Sequence, residues 1–246
     1  MFDLTGRVAV VTGAGQSVGA GIATALAGQG ATVVVNDIVA DRAAATADAI
    51  RLGGGHAAPA VFDVTDPTAV TDALAGVGPI DILVNNAGNA GAHTFTPKPF
   101  HEMTPDEYAR FIDVNLLGVF HCTRAVLGPM RDRGHGRIIT VSSGAGLSGN
   151  RMGISIYGAA KGGAIAFMRH IAMESASRGI TANTIALGLM ANTAGGDYTE
   201  QLARTIPVGR LGTPADVGAA AVWLASDEAS WMTGKTITLD GGSLTG

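Results

Sequence analysis

The sequence predicts an α/β fold, a single doubly wound domain over residues 1–246 whose seven-stranded parallel sheet carries helices on both faces. Two observations predict it. Short apolar, β-branched runs recur along the chain with helical segments between them, near 7–12, 31–36, 57–62, 80–85, 136–142, 180–185 and 234–239. Apolar residues at 47% with 36 glycines also suit a sheet covered on both sides and joined by tight turns.

The first run, Arg7–Thr12, leads directly into the loop Gly13-Ala-Gly-Gln-Ser-Val-Gly19 and the helical stretch Ala20–Ala27. A strand, a glycine turn and a helix N-terminus form an anion site, because backbone N–H groups and the helix dipole face a ligand that no side chain holds away. An ordinary tight turn would explain one glycine motif alone. The second run, Ala31–Asn36, favours the nucleotide, because Asp37 closes it about 20 residues beyond the loop, where a carboxylate binds a ribose 2′-hydroxyl. The same carboxylate repels a 2′-phosphate by roughly 4 kcal/mol at ~4 Å and an effective dielectric of ~20, so NAD is expected over NADP by tenfold or more. Arg42, the nearest downstream cation, is placed a turn into the next helix.

Later elements follow the same logic. Gly53-Gly-Gly55 ends the second helix and 57–62 is the third strand. Thr104-Pro-Asp-Glu107 and Thr213-Pro-Ala-Asp216 each offer a capping threonine, proline at the first helical position and an acid at the third, although Asp216 is short for the reciprocal bond. The strand before Ser142 and Ser143 precedes a helix bearing Tyr157 and Lys161, four residues apart and therefore on one face. A phenol titrates near ~10, so working near pH 7 needs roughly 4 kcal/mol of differential stabilisation, which Lys161 and a positively charged cofactor ring are expected to supply. The irregular stretches 89–103 and 189–206 emerge where such sheets bind substrate. Met152, Ile154, Met190, Tyr198 and Leu202 are candidate apolar liners, and Arg151 a candidate for an anionic substrate group.

Together these residues resemble the short-chain dehydrogenase/reductase family over essentially the whole chain, which implies a Rossmann-type domain. The family's Thr-Gly-x-x-x-Gly-x-Gly signature appears as Thr12, Gly13, Ser17 and Gly19, with serine at the middle glycine. Asn85-Asn86-Ala87-Gly88 is intact, and its expected role is structural. The resemblance implies catalytic residues Asn115, which holds a helix bend and a relay water; Ser143, which holds the substrate oxygen; Tyr157, the acid/base; and Lys161, which also binds the nicotinamide ribose. Ser143 precedes Tyr157 by fourteen residues where the family has thirteen, read as one extra residue in Gly149–Gly153, and Ser142 stays open as the rival. The implied cofactor contacts are Gly13, Gln16, Ser17, Val18, Gly19, Asp37, Asp63, Val64, Asn86, Ala87, Gly88, Tyr157, Lys161, Gly188 and Met190. NADP-using relatives often place a basic residue where this chain has Gln16 or Ile38, and the family's Pro-Gly after the sixth strand is Leu187-Gly188.

The expected reaction is hydride transfer between the nicotinamide and a secondary alcohol or ketone, with 3-oxoacyl-thioester reduction as an alternative. A non-catalytic nucleotide sensor would have little use for Ser143, Tyr157 and Lys161 together, and a nucleotide-sugar epimerase would extend beyond Asp240-Gly-Gly242. A net charge of −4 without a basic stripe argues against nucleic acid, and six dispersed histidines against zinc. No run of ~18 uninterrupted apolar residues suggests a membrane span, and the N-terminus lacks the pattern of a secretion signal. With Cys122 as the single cysteine, a reducing, cytoplasmic setting is expected. Small residues at Gly158, Ala159, Gly162, Gly163 and Ala166, with the helix beginning near Thr104, suggest helix pairing between subunits and a homotetramer, failing that a dimer.

Overall fold

The β-branched runs become the strands that the sequence predicts, with ends shifted by no more than two residues. The computed structural model describes residues 1–88, 97–191 and 197–244. Its strands are β1 (Val8–Val11), β2 (Thr32–Asp37), β3 (His56–Val61), β4 (Ile82–Asn85), β5 (Gly136–Ser143), β6 (Ile180–Leu187) and β7 (Thr236–Leu239). They form one parallel sheet in the order β3-β2-β1-β4-β5-β6-β7. Pro59 sits within β3, where an edge strand tolerates the missing donor. Because the strand order reverses between β1 and β4, a crevice opens beyond their carboxyl ends.

Helices α1 (Ser17–Gly28), α2 (Ala40–Leu52), α3 (Pro67–Ala75), α4 (Pro105–Ile112), α5 (Gly118–Arg133), α6 (Ser155–Ser175), α7 (Asp197–Ala203) and α8 (Pro214–Ala225) complete the fold. One face of the sheet is covered by Ile22 and Leu26 of α1, Ile50 of α2 and Leu224 of α8. The other is covered by Leu74 of α3, Met130 of α5 and Met168 of α6. The α4 and α8 starts form complete capping boxes. Asp216 does reach back to the Thr213 N–H, at 2.7 Å, contrary to the expectation from its length.

A π-helical turn, Asp113–Leu117, joins α4 to α5. The combined helix Pro105–Arg133 is the one stretch, among the described residues, long and apolar enough to cross a membrane, which no uninterrupted apolar run revealed. Here Cys122, Val126 and Met130 bury its inner face against the core, and burial pushes the Cys122 thiol up to about 12. The small residues of α6 divide between two roles. A Cβ on Gly158 or Gly162 would meet the carbonyl of Ala145 or Gly146, and one on Gly163 would meet Leu116, so these glycines serve close packing within the chain. Ala159 and Ala166 are exposed.

Candidate active site

A cavity of about 470 Å³ occupies the crevice, within the usual range for small-molecule sites. The glycine loop forms one wall and leaves no room for side chains. A Cβ on Gly19 would lie 2.2 Å from the Gly13 carbonyl oxygen, and one on Gly13, where φ is +60°, would lie 2.9 Å from the Ala87 Cα. The α1 N-terminus has neither a side-chain cap nor an acidic residue in its first turn, so its N–H groups are available to an anion. In contrast, Asp66 accepts from two N–H groups at the start of α3. Ser17 adopts φ +53°, the left-handed region in which the family's glycine is free of strain.

Polar ties across the crevice fix the loop. The buried Thr12 hydroxyl accepts from the N–H groups of Asn86 and Ala87, and the Asn86 amide donates to the carbonyls of Thr12 and Gly13. This is the structural role expected of the Asn-Asn-Ala-Gly motif. Asn36 was missed in the sequence although a polar residue ending a valine run signals it. Its Oδ1 accepts from the Gly13 N–H, and its amide donates to the carbonyls of Ala60 and Phe62. His121 contacts the Val64 carbonyl at 2.9 Å and so braces another part of the wall.

Asp37 is buried at the end of β2. One carboxylate oxygen accepts from the Gly15 N–H at 3.1 Å and the other from the Val39 N–H at 2.9 Å, leaving further lone pairs for a ligand. Arg42 lies at the start of α2, close to its expected position. It occupies the first turn of α2, lines the cavity, and its Cβ would be 2.5 Å from a Cβ on Gly15. Arg110, likewise unanticipated, also lines the cavity.

At the opposite end stand Ser143, Tyr157 and Lys161. The two serines part at the end of β5. Ser142 is buried and donates to the Lys161 carbonyl, whereas Ser143 hydrogen-bonds Tyr157 and accepts from the Ala145 N–H. Lys161 is only 4% exposed, donates to the Val141 carbonyl at 3.0 Å, and lies 5.9 Å from the Tyr157 ring centre. Burial lowers its pKa to about 8. A Cβ on Gly88 would lie 2.8 Å from Lys161 Nζ and 2.9 Å from Asn115 Oδ1, so glycine there lets both groups converge. From the π turn, the Asn115 amide donates back to the Phe111 carbonyl of α4 at 3.0 Å. Asn115 itself is fully buried behind the cavity wall.

Burial holds the Tyr157 phenol above its ordinary value, with the Ser143 hydrogen bond pulling the other way. The expected lowering belongs to Lys161 together with a positively charged cofactor ring.

Every residue expected to contact the cofactor lines this one cavity: Gly13, Gln16, Ser17, Val18, Gly19, Asp37, Asp63, Val64, Asn86, Ala87, Gly88, Tyr157, Lys161, Gly188 and Met190. Glycine cradle, uncapped helix start and buried acid together fit a dinucleotide. Of the proposed substrate liners only Met190 reaches the wall; Arg151, Met152, Ile154 and Leu202 do not. The Tyr198 side chain and residues 89–96 and 192–196 of the two irregular stretches lie outside the described residues.

Known proteins share this fold. Residues 13–243 match the family model described as enoyl-(acyl carrier protein) reductase. The 3-oxoacyl-[acyl-carrier-protein] reductase of Escherichia coli is 37% identical over 98% of both chains. A Brucella melitensis 3-oxoacyl-[acyl-carrier protein] reductase with bound NAD superposes with a TM-score of 0.92 at 34% identity, covering 99% of this chain and 94% of that one. A Burkholderia cenocepacia gluconate 5-dehydrogenase in complex with NADP and tartrate gives 0.89 at 36% identity, covering 98% and 96%. With the family model covering residues 13–243, and relatives matched nearly end to end, the chain belongs to the short-chain dehydrogenase/reductase family and is a nicotinamide-dependent oxidoreductase.

Proposed function

We propose that this oxidoreductase interconverts a ketone and a secondary alcohol, with Tyr157 as acid/base and NAD as the preferred cofactor. The observation that carries the reading is the meeting of Ser143, Tyr157 and Lys161 at one end of the cavity whose other end is the glycine loop and Asp37. A bound nicotinamide supplies or accepts the hydride. In reduction Tyr157 gives its phenolic proton to the substrate oxygen, which Ser143 holds by a hydrogen bond; in oxidation the phenolate takes that proton back. Lys161 holds the ribose and favours the phenolate, and Asn115 positions a water that carries the proton onward. A phenol is protonated at neutral pH and burial raises it further, so without cofactor Tyr157 holds its proton.

NAD preference rests on Asp37, whose remaining lone pairs accept ribose hydroxyls and whose charge opposes a 2′-phosphate. Arg42 at the cavity edge counteracts that repulsion in part. The structural relatives bind either cofactor, NAD in one and NADP in another. Reduction of a 3-oxoacyl thioester is the second reading, favoured by the Escherichia coli relative. The buried Cys122 suits a reducing, cytoplasmic setting. The exposed Ala159 and Ala166, with α4, whose residues are not buried within the chain, support a homotetramer. A stable 24.7 kDa monomer in light scattering at micromolar concentration would reject that assembly.

A panel of ketones and 3-oxoacyl thioesters, followed by the absorbance of the reduced cofactor, tests the reading. Tyr157→Phe keeps shape and bulk but removes the proton. It should bind cofactor normally and lose at least ~10²-fold in turnover, and near-normal turnover would end the assignment.

A further inference from the structure

The first turn of α6 carries Tyr157, yet its start at Ile154 makes no side-chain cap hydrogen bond. It is held instead from outside. The Lys98 N–H donates to the Gly153 carbonyl at 2.9 Å, two residues before α6 begins. The two backbones touch closely enough that a Cβ on Gly153, where φ is +67°, would lie 2.9 Å from the Lys98 nitrogen. Lys98 stands between Pro97 and Pro99, whose rings restrict the backbone on either side. Its Nζ donates to both Glu107 carboxylate oxygens, at 3.1 and 3.0 Å. Glu107 is in turn fixed at the start of α4, where it accepts from the Thr104 N–H at 2.7 Å.

We propose that the Lys98–Glu107 pair positions Tyr157, anchoring to α4 the segment that holds the loop entering the catalytic helix. The proposal rests on the function assigned to Tyr157 above. Lys98 and Glu107 touch neither the cavity nor the reacting groups, so both are positioning residues. The pair is partly exposed, and such pairs often contribute little stability. Its effect is therefore expected in the placement of the loop rather than in the melting temperature. A small misplacement near reacting atoms reduces rate far more than stability.

Lys98→Met removes the charge and keeps the stem; Glu107→Gln removes the charge and keeps the cap. Hydrogen–deuterium exchange of peptides covering 150–158 should speed up about tenfold in each, on the scale of a local opening. Turnover number should fall about three- to tenfold while the cofactor Kd and the pKa of the pH–rate profile stay as in the wild type. Lys98→Arg, which keeps the pair, should restore both readouts. Unchanged exchange in Lys98→Met overturns the proposal, and so does faster exchange with wild-type turnover. A wild-type protein that turns over no substrate would count against the assigned function instead, while the exchange measurement would still decide whether the pair holds the loop.

Discussion

Two cations are buried equally deeply at opposite ends of the sheet, and they are treated differently. Arg137 and Lys161 are each 4% exposed. At the amino end of β5, the Arg137 guanidinium donates to the carbonyls of Gly136, Gly179 and Ser226 and pairs with Asp227 at 3.0 Å. Asp227 also receives Arg7. At the carboxyl end, beside the cavity, Lys161 has three donors and only the Val141 carbonyl as a hydrogen-bond partner among the described residues. Arg137 is a satisfied charge that holds the ends of β5, β6 and α8 together. Lys161 has fewer partners among the described residues, at the place proposed above for the nicotinamide ribose, so partner count distinguishes the two ends where burial does not.

Lys161→Met gives the sharpest contrast. The lysine binds its proton less tightly folded, at about 8, than unfolded, at 10.5. Below pH 8 both states are charged and the burial penalty of about 3 kcal/mol is fully present. Between pH 8 and about 10 the unfolded chain holds more protons, so wild-type stability should rise with pH. Above about 10 the raised Tyr157 pKa opposes further gain, since the unfolded phenol ionises first. Lys161→Met should therefore stabilise the protein at pH 7 by up to about 3 kcal/mol and flatten the rise, while turnover collapses. Chemical denaturation at pH 7 and 9.5 checks this, and a destabilised variant with the rise intact would contradict it.

Arg137→Met should act with the opposite sign. It leaves three carbonyls short of a donor and should cost about 2–3 kcal/mol, with KM and turnover unchanged at temperatures where the variant stays folded. If both methionine variants shift stability in the same direction, the distinction between the two ends fails.

The two ends also differ in how legible they are in the sequence. Strands declare themselves through runs such as Val33-Val-Val35, and the Tyr157–Lys161 spacing is fixed by helical geometry, so the fold and the shared helix of these two residues are readable. Which serine faces Tyr157 depends on alternation at the end of β5. The fourteen-residue spacing narrowed that choice, and the backbone resolves it. That Arg42 reaches the cavity depends on Gly15, whose missing side chain lets α2 approach, and no local pattern shows it. The Arg137 cluster joins residues some 90 positions apart and leaves no local pattern to read.

Asp37→Ala tests the cavity end at smaller scale. Removing the carboxylate should weaken NAD and improve NADP, narrowing a preference of tenfold or more, about 1.4 kcal/mol, toward parity. It also releases the Gly15 and Val39 N–H groups, so stability should fall by about 1 kcal/mol. Ratios of kcat/KM for the two cofactors, before and after the change, measure the first effect. Equal efficiency in the unmodified enzyme would show that Arg42 cancels Asp37.

The smallest effect belongs to Ser17. Its φ of +53° disfavours any side chain with a Cβ by about 1 kcal/mol, and glycine removes that strain. One effect opposes the gain: glycine enlarges the unfolded ensemble. The net expectation for Ser17→Gly is a gain of about half a kcal/mol or less, a melting shift of no more than ~2 °C. Its informative readout is binding, since the loop N–H groups that meet the pyrophosphate would no longer be held in a strained turn. A cofactor Kd tightened by about two- to threefold would show that the serine detracts from the cradle. A weakened Kd would show instead that the Ser17 hydroxyl contributes a hydrogen bond to the phosphate worth more than the strain it imposes.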